Sequence, residues 1–401
     1  MDDSSGQLIF HVDKVFPTTS IASTNYQKRH ATEKELARLI ESPGVFIVTG
    51  RSGIGKSSLT RHVASKARRR TFITQVDEDT NFESLAQRAL AGLVSKLSLV
   101  DPLRIFYFML KVREAGGFAW KDDTTSTDRL RKWLWSRGML WIIERTERMN
   151  QSCEQGLVRF LNDLHDHLGE GIHEDGKHHE KLPDPAIVCL SLKMHSSPFG
   201  SSQVDRFNNL KIEPMSLMEV RLVVTEGLKK MGIRHASECV TEIHKVSRGV
   251  PLAISKVLNL LLREMGIEQT VNQPALSIGS TDVRDIATRL GADLRNSESF
   301  KSWSSFYCNP NELKRYVVEA VVSVGHKGNL IEVINNITPG FSGNMQNLES
   351  KVLEVLRDLV DLSHEQGYFG FELSGRDFEF RKPFLYEALQ VDIEALKLDT
   401  K

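Results

Sequence analysis

Eight consecutive residues, Gly50-Arg51-Ser52-Gly53-Ile54-Gly55-Lys56-Ser57, combine three glycines, a lysine and a hydroxyl at a spacing suited to gripping phosphate. Glycines let a backbone wrap an anion without Cβ clashes, so that successive amides converge on it. The lysine reaches the β- and γ-phosphates, and the serine hydroxyl after it can ligate magnesium. Gly50, Arg51, Ser52, Gly53, Ile54, Gly55, Lys56, Ser57 and Ser58 are therefore the candidate nucleotide-binding residues. The ligands they point to are ATP or GTP with Mg2+. Lys56, which would touch the transferring group, is also a catalytic candidate.

Such a loop works only between a buried strand and a helix, whose N-terminus favours negative charge. Val45-Phe46-Ile47-Val48-Thr49 is a β-branched apolar run bounded by Pro43-Gly44 and Gly50, and it reads as that strand. Leu59, Val63 and Ala67 then recur at helical spacing. A plain turn with no nucleotide is the alternative reading; strand, loop and helix together favour phosphate.

Magnesium also needs an acid at the end of a neighbouring buried strand. The run 138–144, Gly-Met-Leu-Trp-Ile-Ile-Glu, is apolar until Glu144, which makes Glu144 the second metal candidate beside Ser57. A role as a simple strand cap stays open, and Glu147 and Asp77 stand next in line. Arg145 follows Glu144 where a second acid would orient the attacking water, so hydrolysis is expected to be slow. The strand 186–193 ends in polar residues, and Ser191 and Lys193 are candidates for sensing the γ-phosphate. Between these strands, 153–168 is apolar along one helical side, and 71–77 reads as a further strand.

The chain has 401 residues, more than one ordinary core holds, so two or three domains are expected. Lys+Arg and Asp+Glu both number 52, which excludes a global field for nucleic acid or anionic membrane. The four cysteines are scattered with no C-x-x-C pair, which argues against a zinc site or disulfide framework. An acidic, polar start and the lack of any ~20-residue apolar run predict a soluble, cytoplasmic protein. Toward the C-terminus, 312–324 and 348–362 have helical periodicity. The stretch 368–380 alternates around Ser374-Gly375-Arg376, as a hairpin does.

In this order the pieces resemble the AAA+-like STAND class of ATPases and the related origin-recognition ATPases. Beyond the glycine loop, three stretches carry the resemblance. Lys211-Ile212-Glu213-Pro214-Met215-Ser216-Leu217-Met218-Glu219 is similar to the step from the last core strand into a helical lid. Gly249-Val250-Pro251-Leu252-Ala253 is similar to a G-x-P-L-A lid motif, and the segment 378–389 to the close of a winged helix. Phe16-Pro17-Thr18 with Arg29 matches a lead-in around adenine.

The resemblance implies an α/β P-loop core with a parallel sheet, then an α-helical lid and a C-terminal winged helix. The corresponding bounds are 1–24 for the lead-in, 25–213 for the core, 214–275 for the lid, 276–299 for a linker and 300–401 for the winged helix. It also implies ATP over GTP, with Pro251 near the adenine. The chain would be a regulatory switch acting by homo-oligomerisation or on a partner protein. A DNA-associated loader of the replication-initiator or transposition type is the alternative. Lys382 stands where many family members have a phosphate-touching histidine, and Glu144-Arg145 replaces the usual paired acids.

Overall fold

The computed structural model describes residues 8–18, 24–96, 126–137, 139–166, 185–191, 207–271, 277–295, 298–307, 312–337, 347–365, 371–380 and 382–399. They fall into two compact units, one from Lys28 to Glu213 and one joining Met1–Gln27 to Pro214–Lys401. The short helix α1 (Val12–Val15) belongs to the latter. The former runs α2 (His30–Glu41), β1 (Gly44–Thr49), α3 (Lys56–Ala64), β2 (Thr71–Gln75), α4 (Phe82–Lys96), α5 (Ser126–Arg137), β3 (Leu140–Glu144), α6 (Gln151–Asp166), β4 (Ala186–Ser191) and β5 (Asn208–Lys211).

The five strands form one parallel sheet in the order β2-β3-β4-β1-β5. Every residue of β1 and β3 is buried, as a parallel strand covered on both faces requires. Val45, Ile47, Trp141, Ile143, Ile187 and Cys189 share one core with Leu85 and Ala89 of α4, Leu130 and Leu134 of α5, and Leu157, Phe160 and Leu161 of α6. The last three lie at the three- and four-residue spacings that bring side chains to one helix face. Because all strands run the same way, Thr49, Glu144 and Ser191 end on one edge of the sheet. Thr49 is in register with Ser191 across the β1–β4 pair. Strand β2 follows β1 in the chain yet sits at the far edge beside β3.

The second unit continues through α7 (Leu217–Met231), β6 (Arg234–His235), α8 (Ser237–Ser247), α9 (Pro251–Glu264) and β7 (Ser277–Ile278). Ser216 and Glu219 close a reciprocal capping box at the start of α7, and Pro251 is the first residue of α9. Phe16 is fully buried against Gly227, where an added Cβ would come within 2.4 Å of its ring. Asp13 holds the same segment to α9 through Asn259 at 2.9 Å and Arg263 at 2.7 Å. Gly249, at φ +66, sits so close to Met215 that a Cβ would lie 2.3 Å from the Met215 carbonyl oxygen. Met215 N–H donates to the Gly249 carbonyl at 2.8 Å. That is why the G-x-P sequence needs its glycine.

The stretch 276–299, expected as a linker, is mostly helix: α10 (Ser280–Arg295) buries Val283, Ile286 and Ala287 and packs against α8 and α9. Beyond it lie α11 (Glu298–Tyr307), α12 (Glu312–Val324), β8 (Lys327–Asn329), α13 (Leu330–Ile337), α14 (Leu348–Glu365), β9 (Phe371–Ser374), β10 (Asp377–Phe380) and α15 (Leu385–Asp399). These enclose a core of their own that includes Trp303, Val317, Leu330, Val352, Phe371, Phe380 and Leu389. The small sheet is antiparallel, β8-β10-β9, and its hairpin turns at Gly375 with φ +62.

A partly buried polar cluster lies where α8 ends and α15 begins. His326 Nε2 lies 3.4 Å from Glu387 Oε1, Arg248 hydrogen-bonds His326 Nδ1, and the Tyr386 ring packs on the imidazole at 3.9 Å. Burial pushes the Glu387 carboxyl up to about 7 from 4.5, aided by Glu242 and opposed by its own backbone, Arg248 and Lys245. A raised folded pKa stabilises the fold only while the group is protonated. The contribution is whole below the ordinary 4.5 and is lost as pH climbs through about 7. Thermal melting of the full chain should therefore fall between about pH 5 and about pH 8, and Glu387→Gln should flatten that slope. An unchanged slope in the variant assigns the pH dependence elsewhere.

Candidate nucleotide site

The 50–57 loop leaves β1 at its C-terminal end and runs directly into α3. Its three glycines all take positive φ, +150, +74 and +94 at Gly50, Gly53 and Gly55. Gly55 is the helix N-cap in the left-handed region, which costs glycine nothing and other residues about 1–2 kcal/mol. Ile54 is buried and pins the loop to the core. Lys56, the first residue of α3, bends back over the loop. Its ammonium donates to the Gly50 carbonyl at 2.7 Å and to the Arg51 carbonyl at 3.0 Å. A concave loop, a helix N-terminus and a cation thus face one volume, a combination suited to polyphosphate.

One residue along α3, Ser57 lies near enough to Glu144 for its hydroxyl to help lower the carboxyl's pKa. Glu144 ends β3 almost completely buried, 4% exposed. Its Oε1 accepts from Arg61 Nε at 3.1 Å, and its Oε2 accepts from Arg61 Nη2 at 2.7 Å and Gln75 Nε2 at 3.1 Å. Burial acts to raise the carboxyl's pKa. The hydrogen bonds from Arg61 and Gln75, the Arg61 charge and the Ser57 hydroxyl outweigh it and hold the group below its usual value. Glu144 is thus an ionised carboxylate near the loop serine, a pairing suited to organising magnesium.

Of the two reserve acids, Asp77 lies past the far-edge strand β2 and pairs with Arg88 at 3.0 Å, while the Glu147 side chain lies outside the described residues. Arg145 sits exposed in the left-handed region at φ 62, opening the single 3-10 turn Thr146–Arg148. Thr146 is buried and donates to the Leu190 carbonyl at 2.9 Å, tying the end of β3 to the end of β4. Ser191 ends β4 opposite Thr49; its side chain and all of Lys193 lie outside the described residues. Pro251 lies in the other unit, as does Lys382, whose ammonium burial pushes down to about 8. Arg29 caps the start of α2 and donates to the Glu213 carbonyl at 2.6 Å.

Two residues that hold Glu144, Arg61 and Gln75, are not singled out by the sequence. A signal for the first exists, since Arg61 stands four residues after Ser57 and so on the same helix face. Gln75 meets Glu144 through strand register, which nothing local encodes. Among the described residues no group of three His, Cys, Asp or Glu could hold a metal alone. A magnesium ion here would rely on Ser57, Glu144 and the oxygens of nucleotide and water, a donor set suited to that ion.

No family model and no curated protein matches the sequence. Among solved structures, a Walker-type ATPase of Pyrococcus abyssi aligns over 94% of this chain and 99% of its own, with a TM-score of 0.52 at 11% identity. RuvB of Thermotoga maritima covers 92% and 95% at a TM-score of 0.42 and 14% identity. Cdc6p from Pyrobaculum aerophilum covers 96% and 98% at 0.42 and 12%. The parallel sheet, its glycine loop and the full-length match to the Pyrococcus structure define the class: the chain has the α/β fold of a P-loop ATPase. Among the described residues, no helix is long and apolar enough to cross a membrane.

Proposed function

We propose that this chain binds ATP with magnesium at 50–57 and acts as a nucleotide-dependent switch, through self-association or on a partner protein. The observation that carries the reading is the loop itself, with the Lys56 ammonium drawn over it and Ser57 beside a buried, ionised Glu144. In this reading the loop amides and the start of α3 hold the phosphates, Lys56 neutralises them, and Ser57 with Glu144 organises the metal. Magnesium would supply charge screening of the β- and γ-oxygens. Turnover is slow, because Arg145 occupies the place of a water-orienting acid and points to solvent. Ser191, at the end of β4, and Lys193 are the sensing candidates. The helices 217–264, including Pro251, serve as lid, and 300–401 as a winged helix.

Charge separates this reading from the DNA-loading one. Helix α14 carries Glu349, Glu354, Asp358, Asp361 and Glu365 against Lys351 and Arg357. Among the described residues, two bases of the hairpin sheet are already matched, Arg376 to Glu349 at 2.6 Å and Lys327 to Glu379 at 2.9 Å. DNA affinity comes from cations that replace condensed counterions, and this surface has few to offer.

Size exclusion with light scattering, with and without ATP and magnesium, tests the switch, and a phosphate-release assay accompanies it. The expected result is a nucleotide-driven change of mass or partner capture at a turnover well below the ~10 s⁻¹ enzyme median. Brisk hydrolysis with no change of state would sink the reading.

A further inference from the structure

Glu144 does not meet a prospective magnesium ion as a free carboxylate. It is already gripped by Arg61 through two parallel N–H···O bonds, at 3.1 and 2.7 Å, and by Gln75 at 3.1 Å. Fork-to-carboxylate pairs of this kind are among the strongest protein hydrogen bonds, and burial strengthens them further. Glu144 is nearly inaccessible, whereas the Arg61 side chain keeps 35% of its surface. The guanidinium therefore covers the carboxylate from the solvent side.

The charge balance of the loop follows. Leaving aside Arg51, which is common to every chain compared below, Lys56, Arg61 and Glu144 together carry one net positive charge beside the phosphate cradle. Without Arg61 they cancel, and a triphosphate would face a bare buried carboxylate unless a divalent cation intervened. We propose that Arg61 is a built-in counter-cation for Glu144, a positioning residue that performs part of magnesium's electrostatic task and makes triphosphate binding here only weakly dependent on the metal. The proposal rests on the reading of 50–57 as a triphosphate site and adds to it how that site is regulated. The chain would hold its nucleotide through swings in free magnesium, with the metal needed mainly for turnover.

The test is equilibrium anisotropy of a fluorescent ATP analogue on the full chain, in excess magnesium and in EDTA. The wild-type dissociation constants in the two media should agree within about threefold. In Arg61→Met, binding in EDTA should be at least about tenfold weaker than in magnesium, the loss expected when a charge-assisted contact is exposed as repulsion. In Arg61→Met/Glu144→Gln the net positive charge returns, and the two constants should again agree within about threefold. A strap that merely braced the fold would shift melting temperature and leave these ratios alone. The double variant also buries no unmatched charge, which guards against a single variant that fails to fold.

Tenfold or greater magnesium dependence in the wild-type chain overturns the proposal whatever the variants do. So does an Arg61→Met chain that folds and keeps the wild-type ratio. If the analogue binds wild type in neither medium, the triphosphate reading itself falls, and this inference falls with it.

Discussion

Lys56→Ala should weaken binding of an ATP analogue by about tenfold to a hundredfold while leaving the melting temperature close to that of the wild type. The two halves of that expectation have separate causes. The Lys56 ammonium makes its contacts with loop carbonyls, at 2.7 Å to Gly50 and 3.0 Å to Arg51, and it contributes no apolar surface to the sheet core. Removing it hands those carbonyls to water, which satisfies them. Toward a triphosphate the loss is of another order, because a cation paired with phosphate is worth about 1.5–3 kcal/mol. Isothermal titration on the full chain, with circular dichroism as the check on folding, reads both. Affinity within about threefold of wild type would remove the phosphate-loop assignment, since the Lys56 ammonium lies directly over the loop.

Much of the arrangement around that lysine is legible in the residues themselves. The apolar run before Gly50, the glycine spacing and the stripe of Leu59 and Val63 correspond to β1, the loop and α3. Glu144 ends a wholly buried strand, as its position after four apolar residues suggests. The hairpin around Gly375 and the helices beginning at Glu312 and Leu348 also follow from periodicity.

What periodicity does not carry is pairing. A run of buried residues announces that a strand is covered on both faces but not which strands flank it. Hence the far-edge place of β2 and the contact of Gln75 with Glu144 emerge only from register. Arg61 is lost for a related reason. A basic residue late in a short helix reads first as a solvated partner for the macrodipole, and only the tertiary placement of β3 turns it toward a carboxylate. The 276–299 stretch is instructive in the opposite direction. Val283, Ile286 and Ala287 have helical spacing in plain view, and the linker assignment comes from the bounds that the resemblance implies and not from these residues.

Trp141→Ala should destabilise the 28–213 unit by about 3–5 kcal/mol, a large share of the ~5–15 kcal/mol typical of a folded domain. Trp141 is the largest fully buried side chain of the chain's described core. Its indole stacks on Phe72 at 5.9 Å and 9° and meets Phe160 edge-on at 6.0 Å and 79°, so it joins β2, β3 and α6 at one point. Its Nε1–H donates to Thr74 Oγ1 at 2.8 Å, satisfying a polar pair that is otherwise enclosed. Alanine would leave a cavity, forfeit both ring contacts and strand the Thr74 hydroxyl. Trp141→Phe separates these terms. It keeps a ring in the slot and loses the hydrogen bond, so its cost should be nearer ~1–3 kcal/mol. The consequence for the site is specific, because β3 delivers Glu144 three residues on, and loosening β3 misplaces the carboxylate that Arg61 and Gln75 hold. Urea titration followed by release of a bound fluorescent nucleotide reports this unit alone. Release should move to lower urea in the order wild type, Trp141→Phe, Trp141→Ala. If both variants release at the wild-type concentration, the strand that carries Glu144 is anchored by something other than this tryptophan.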